Sequence, residues 1–166
     1  MALSAEQKQE FDDKGFVILK GFFDQGVMEK VSLWLDELRD REVSELRESR
    51  FYEKSATTGE NILVRVEDLF GGCNVELARQ LIAPTVLDCL TVLFGEPPIL
   101  FKEKINYKLP GCRADKLHQD QAAGWNRYAD FFITMGIVVD PNRLENAALS
   151  FMNSGNYRKN LMAPEW

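Results

Sequence analysis

The 166-residue chain contains a single histidine, His118, so a site that needs two imidazoles cannot be built from these residues alone. Its three cysteines show no C-x-x-C spacing, and an odd set of this kind does not favour a disulfide framework. No apolar run approaches the roughly 18 residues that a membrane helix requires, and the polar start MALSAEQKQEF is unlike a signal peptide. We therefore expect a soluble, cytoplasmic protein.

Basic side chains are also in deficit, with 20 Lys and Arg against 26 Asp and Glu and a net charge of −6 at pH 7. Affinity for nucleic acid comes from clustered Lys and Arg, so this deficit argues against nucleic acid as a partner. No Gly-rich phosphate loop and no G-x-S-x-G elbow occurs in the sequence. The length and the 45% hydrophobic content suit one globular domain over residues 1–166, of unknown oligomeric state.

The first hundred residues mostly show helical spacing of apolar side chains, with Gly and Pro at the predicted boundaries. Ser4 and Gly15 are residue types that cap the two ends of a helix. The predicted helices cover residues 5–14, 27 towards 50, 75–83 and 84–94. Between them the sequence predicts a buried strand over 16–19, a loop over 53–61, and a strand over 62–70 closed by Gly71 and Gly72.

Beyond Pro98 the pattern changes from helical to extended. Strands are predicted over residues 99–109, 131–139 and 148–152, separated by Pro-Gly, Gly-Trp-Asn and Asp-Pro-Asn turns. Helices followed by strands indicate an α+β domain.

His118-Gln119-Asp120 is the candidate for chemistry. In an extended segment alternate side chains project to the same side, so the imidazole and the carboxylate would lie together. They would supply two of the three ligands of the 2-His-1-carboxylate triad that holds Fe(II) in non-haem oxygenases. A surface histidine beside a solvated Asp120 stays open, because H-x-D is frequent by chance. Two uses of Cys112 also stay open, a nucleophile pair with His118 and a zinc site with both residues, although each lacks a further group.

Four segments, in the right order, resemble the phytanoyl-CoA dioxygenase family of Fe(II)- and 2-oxoglutarate-dependent oxygenases, and ectoine hydroxylases in particular. They are FDDKGFVIL with GFF at 11–23, INYK with PG at 105–111, HQD at 118–120 with Trp125 after it, and LENAALSFM at 144–152, followed by NSGNYRK at 153–159. The resemblance implies a double-stranded β-helix, a cupin-like jelly roll with N-terminal helices. It also implies hydroxylation of a small molecule by dioxygen, with decarboxylation of 2-oxoglutarate to succinate.

The resemblance also implies roles for particular residues. His118 and Asp120 would be the catalytic metal ligands, Asn106 and Lys108 would lie near the 2-oxoglutarate carboxylates, and Gln121 and Trp125 would line the substrate pocket. Lys104, Asn106 and Lys108 alternate along the predicted strand, and cations and amides on one face suit a dicarboxylate. Contact with water alone is the alternative, and we favour it for Lys104. Trp125 is equally suited to anchor its loop on the core.

The sequence departs from the family in its last part. The family's second iron histidine and its 2-oxoglutarate arginine lie on later strands, whereas nine residues, RKNLMAPEW, follow Tyr157. We therefore expect the C-terminal part of the jelly roll to be missing, and favour a fragment of a longer oxygenase. Completion by a second chain, and a truncated, inactive relative that serves as a binding or scaffold module, stay open. Without a basic cluster to hold a CoA phosphate, the substrate is expected to be a small polar metabolite.

Overall fold

A computed structural model describes residues 3–42, 48–69 and 75–153. The α-helices are α1 (Ala5–Lys14), α2 (Gln25–Asp40), α3 (Val75–Leu81) and α4 (Pro84–Phe94), and the strands are β1 (Ser49–Lys54), β2 (Asn61–Glu67) and β3 (Lys104–Asn106). Short 3₁₀ turns cover Asp120–Ala123, Trp125–Arg127 and Leu144–Asn146. Helices and an antiparallel sheet confirm the α+β class. The part of the chain described does not assemble a jelly roll.

The helix boundaries follow the capping residues. Ser4 forms a capping box with Gln7 at the start of α1, and Gly15 ends that helix in the left-handed conformation with φ 86°. The break at Pro84 is confirmed, because proline occupies the first turn of α4, where its missing N–H costs nothing. The expected continuation of α2 towards Arg50 is wrong, because Arg41 adopts an extended backbone and Arg50 lies in β1.

The three strands form one antiparallel sheet in the order β1-β2-β3, with β2 in the centre. Strand β1 pairs with β2 from Ser49 opposite Glu67 to Lys54 opposite Asn61, and β2 pairs with β3 through Val66 opposite Ile105. The predicted loop over 53–61 is therefore too long at both ends, because strand pairing extends into it. The strand predicted over 62–70 is confirmed as far as Glu67, whereas Phe70, Gly71 and Gly72 lie outside the described residues.

The core lies between α2, the sheet and α3. Its buried members are Trp34, Leu38, Leu63, Val66, Leu69 and Ala78, with Leu35, Ile105 and Tyr107 packed against them. Leu38 and Val66 are completely buried. Ile105 and Tyr107 point inward from β3 and its extension, so the alternate residues Lys104, Asn106 and Lys108 face outward.

An ion pair between Arg50 and Glu48 supports the C-terminal end of α2. The side chains are 5% and 0% exposed, and Arg50 Nη2 lies 3.0 Å from Glu48 Oε1. Arg50 also donates to the backbone carbonyls of Leu38 and Arg39, which have no helical partner at the end of the helix. A cation at this end also interacts favourably with the negative pole of the helix dipole.

Several predicted strands are absent from the described residues. The segment 16–19 and most of 99–109, apart from β3, have no strand pairing, and neither do 131–139 and 148–152. A segment forms a strand only where a neighbouring strand accepts and donates its ladder hydrogen bonds. The central strand β2 is already paired on both sides, by β1 and β3, and has no edge left for these segments. Apolar side chains along the unpaired segments are partly exposed, for example Val138 at 55% and Phe151 at 54%.

In the same described ranges, no helix has the length and apolar character needed to span a membrane.

Candidate metal site

The segment that leads from β3 to the candidate site is tied to the hairpin connecting β1 and β2. Ala56 N donates to the carbonyl oxygen of Gly111 at 2.8 Å. Gly111 has φ 85°, and an added Cβ would lie 2.1 Å from Ser55 Oγ and 2.7 Å from Thr57 Oγ1. Only glycine combines this backbone conformation with so close an approach. The Pro-Gly turn therefore holds the start of the loop that carries His118 and Asp120.

His118 and Asp120 lie side by side, as the sequence predicts. His118 Nε2 is 3.4 Å from Asp120 Oδ1, and the side chains are 31% and 27% exposed. The local backbone differs from the expected extended segment, because Asp120 begins a 3₁₀ turn after an extended Gln119. Because Gln119 itself is extended, the side chains before and after it project in the same direction, which brings the two donor atoms together.

The second atom of each side chain is held by a partner. His118 Nδ1 lies 2.7 Å from the carbonyl oxygen of Lys116, which can only accept, so Nδ1 carries the proton. Thr134 Oγ1 donates to Asp120 Oδ2 at 2.6 Å. With Nδ1 and Oδ2 engaged in this way, Nε2 and Oδ1 are the atoms that face each other.

The contacts of Thr134 and of the Lys116 carbonyl are not predicted by the sequence patterns. A backbone carbonyl leaves no trace in a sequence. Thr134 leaves a weak one, since it is the single hydroxyl residue in the apolar run from Phe131 to Val139. The composition of that run predicts a plain strand.

The donor set fits two positions of an octahedral metal ion. Ligands about 2.1 Å from a metal and at right angles to one another lie about 3 Å apart, close to the 3.4 Å between Nε2 and Oδ1. Donation of the other ring N–H to a backbone carbonyl is the usual outer contact of a metal-bound histidine. Among the residues that the structure describes, no group of three or more His, Cys, Asp and Glu side chains could hold a metal, so the alternative zinc site with Cys112 is not assembled there.

Asn106 and Lys108 lie on the outward face of β3 and its extension. Asn106 pairs with Arg65 of β2 through the sheet register. Lys108 Nζ forms a hydrogen bond and ion pair with Asp115, which lowers the pKa of that carboxyl. The structure thus places an amide and a paired cation on the face that the sequence predicts, together with Lys104, and all three residues are exposed.

Gln121 and Trp125 lie in the two 3₁₀ turns that follow Asp120. Gln121 Nε2 donates to the carbonyl oxygen of Asp130 at 3.2 Å. The Trp125 ring packs edge-on against Phe101 and Phe132 at centroid distances of 5.3 and 5.4 Å. These contacts support the loop-anchor alternative for Trp125. The role of Trp125 in a substrate pocket stays a prediction.

An imidazole and a carboxylate that converge on one side of a loop, each oriented through its second atom, are typical of part of a mononuclear non-haem iron site. The family model described as "Phytanoyl-CoA dioxygenase (PhyH)" matches residues 11–162, nearly the whole chain. The chain therefore belongs to the phytanoyl-CoA dioxygenase family.

Curated relatives carry names from oxygenase chemistry. The chain is 34% identical over 156 residues to the 2-aminoethylphosphonate dioxygenase of Uncultured bacterium HF130_AEPn_1, covering 94% of the chain and 59% of the relative. It is 27% identical to the methylphosphonate hydroxylase of Gimesia maris, covering 90% and 55%. It is 29% identical to the probable alpha-ketoglutarate-dependent hypophosphite dioxygenase of Stutzerimonas stutzeri, covering 88% and 51%. The chain thus spans between half and three fifths of these relatives' lengths. No solved structure matches it significantly.

Proposed function

We propose that the protein is an Fe(II)- and 2-oxoglutarate-dependent dioxygenase that hydroxylates a small molecule. In this proposal His118 and Asp120 are two of the three iron ligands, and the complete protein adopts the double-stranded β-helix of its family. The family match and the relative named as alpha-ketoglutarate-dependent support the class of reaction. Alpha-ketoglutarate is another name for 2-oxoglutarate.

The observation that carries the proposal is the pair of facing atoms, His118 Nε2 and Asp120 Oδ1. His118 Nδ1 donates to the Lys116 carbonyl, and Nε2 faces the carboxylate oxygen Oδ1 across 3.4 Å. A divalent metal ion satisfies both, because it takes neutral imidazole and ionised carboxylate as ligands.

Asn106 and Lys108 would bind 2-oxoglutarate. An amide donor and an ammonium group on one face can pair with a carboxylate through charge-assisted hydrogen bonds. Lys108 would exchange Asp115, its present partner, for the co-substrate. Because that pair is part-exposed, with 33% and 46% of the side chains accessible, the exchange costs little.

A small phosphorus oxyanion is the substrate class that we propose. Three of the relatives are named for 2-aminoethylphosphonate, methylphosphonate and hypophosphite. Such an anion needs one or two cations rather than the basic cluster that a CoA phosphate requires. Lys102, whose Nζ lies 5.6 Å from the centre of the Trp125 ring, is a cation next to a predicted pocket residue.

Each residue would have a limited task. Bound iron would supply the activation of dioxygen that the side chains cannot provide. His118 and Asp120 would fix the ligand geometry, with the proton held on His118 Nδ1 by the Lys116 carbonyl. Gln121 and Trp125 would orient the substrate and exclude water.

An anaerobic titration of the complete protein with Fe(II) and 2-oxoglutarate tests the site. The wild-type protein should develop the visible charge-transfer band of the chelated metal. His118→Ala and Asp120→Ala should each lose it, whereas Asp140→Ala, a carboxylate removed from an exposed position outside the site, should keep it. A wild-type protein without the band, or an Asp120→Ala variant that keeps it, would show the assignment to be wrong.

Substrate class needs a separate assay. Succinate formation should rise when 2-aminoethylphosphonate or methylphosphonate is added, and 3-aminopropanoate, the carboxylate analogue of the first, should have a much smaller effect. If neither phosphonate raises succinate formation while the band persists, the substrate class is wrong and the oxygenase assignment stands.

A further inference from the structure

We propose that Thr134 is a positioning residue for the metal site. This inference rests on the proposed function and extends it to a residue with no ligand role of its own. Thr134 Oγ1 donates to Asp120 Oδ2 at 2.6 Å, although the two residues are 14 positions apart. This length is typical of a hydroxyl that donates to an ionised carboxylate.

The hydrogen bond selects which carboxylate oxygen faces the histidine. A carboxylate can rotate about its Cβ–Cγ bond, and either oxygen, or both, can bind a metal ion. With Oδ2 accepting from Thr134, Oδ1 is directed at His118 Nε2, 3.4 Å away. Thr134 therefore favours a single-oxygen ligand, which keeps further positions on the metal open.

A second hydrogen bond joins the same two parts of the chain. Gln121 Nε2 donates to the Asp130 carbonyl at 3.2 Å, beside the Asp120–Thr134 pair. The turn that begins at Asp120 is therefore linked twice to the stretch 130–134. Thr134 reaches Asp120 from a stretch that these contacts hold in place, as an outer residue that orients a ligand must.

Mn²⁺ alone, without 2-oxoglutarate, is the probe for the test, and the readout is the loss of the free-ion EPR signal on titration into the complete metal-free protein. Thr134→Val keeps the shape and removes the hydroxyl, so we expect Mn²⁺ affinity to fall by about 10- to 100-fold. Thr134→Ser restores the hydroxyl and should bind within about threefold of wild type. Thr91→Val is the matched control, because Thr91 Oγ1 donates to the Leu87 carbonyl in α4, away from the site, and its loss should leave Mn²⁺ affinity unchanged.

Three outcomes would overturn the inference. They are an unchanged Mn²⁺ affinity in Thr134→Val, a loss that Thr134→Ser does not restore, and an equal loss in Thr91→Val. The far-UV spectrum and melting temperature of each metal-free variant separate a folding defect from a site defect. If Thr134→Val does not fold, Thr134→Ala makes the same comparison without an added methyl group. A wild-type protein that binds no Mn²⁺ would instead remove the proposed function, and this inference with it.

Discussion

Replacing Gly111 by alanine should destabilise the protein through two separate costs. The first is conformational: φ is 85°, and a left-handed backbone costs an alanine about 1–2 kcal/mol. The second is steric, because the new Cβ would lie 2.1 Å from Ser55 Oγ. Ser55 is 4% exposed and its Oγ accepts from Thr57 N and Thr58 N, so it cannot move aside without losing hydrogen bonds. Overpacking of this kind costs about 1–3 kcal/mol.

Gly59→Ala separates the two costs. Gly59 lies in the β1–β2 hairpin connection that Gly111 contacts, with φ 73°, and a Cβ there would meet nothing within 4 Å. It should therefore show the conformational cost alone, partly offset by the lower entropy of the unfolded chain, which applies equally to both variants. We expect Gly111→Ala to lose about 1–3 kcal/mol more than Gly59→Ala in the free energy of unfolding, measured by urea denaturation followed by circular dichroism. Equal losses would refute the argument from close approach.

Three further predictions concern the helices and their caps. Arg50→Met should lose about 3–5 kcal/mol of unfolding free energy in urea, because the buried Glu48 carboxylate loses the cation that faces it. Adding Glu48→Gln should recover part of the loss, and no recovery would contradict the ion-pair argument. Burial raises the pKa of Tyr107 to about 12, whereas a tyrosine in an unfolded chain titrates near 10. Because the folded state binds the phenol proton more tightly, the free energy of unfolding should fall as the pH rises from about 10 to 12. Tyr107→Phe should lack that fall in pH-dependent urea melts, while at pH 7 it loses about 1 kcal/mol with its hydrogen bond to the Leu35 carbonyl. Ser4→Ala should cost about 1 kcal/mol through the lost capping box, and an unchanged midpoint in thermal melts would show that the end of α1 contributes nothing.

The elements that the sequence predicts well are those fixed by local chemistry. The ends of α1 follow from Ser4 and Gly15, and the start of α4 follows from Pro84. The proximity of His118 and Asp120 also follows from their spacing, because side-chain alternation over two residues is a local property.

The predictions that fail depend on partners distant in the sequence. Residues 131–139 are rich in β-branched and apolar side chains and 148–152 are mostly apolar, but no ladder partner lies beside them in the described residues. Conversely, Ser49–Lys54 form a strand because β2 pairs with them, although their sequence, SRFYEK, is mostly polar. Thr134 is a similar case, since its contact with Asp120 crosses 14 positions.

The placement of His118 and Asp120 on a loop, rather than within the paired sheet, has a consequence for motion. Local opening of the segment 116–124 would separate the two donor atoms while Leu38 and Val66 stay buried, because the contacts that hold the segment, such as Ala122 N to the Gln119 carbonyl and the hydrogen bonds of Asp120 and Gln121 to the stretch 130–134, do not involve these core residues. A ligand that bridges the donor atoms binds only the closed form, and at a concentration 100 times its dissociation constant it disfavours opening by about 2.7 kcal/mol. Amide hydrogen exchange in this loop should then slow by about 100-fold, with little change at the amides of β2. The loop would behave as a small folding unit, completed by the ion that it binds.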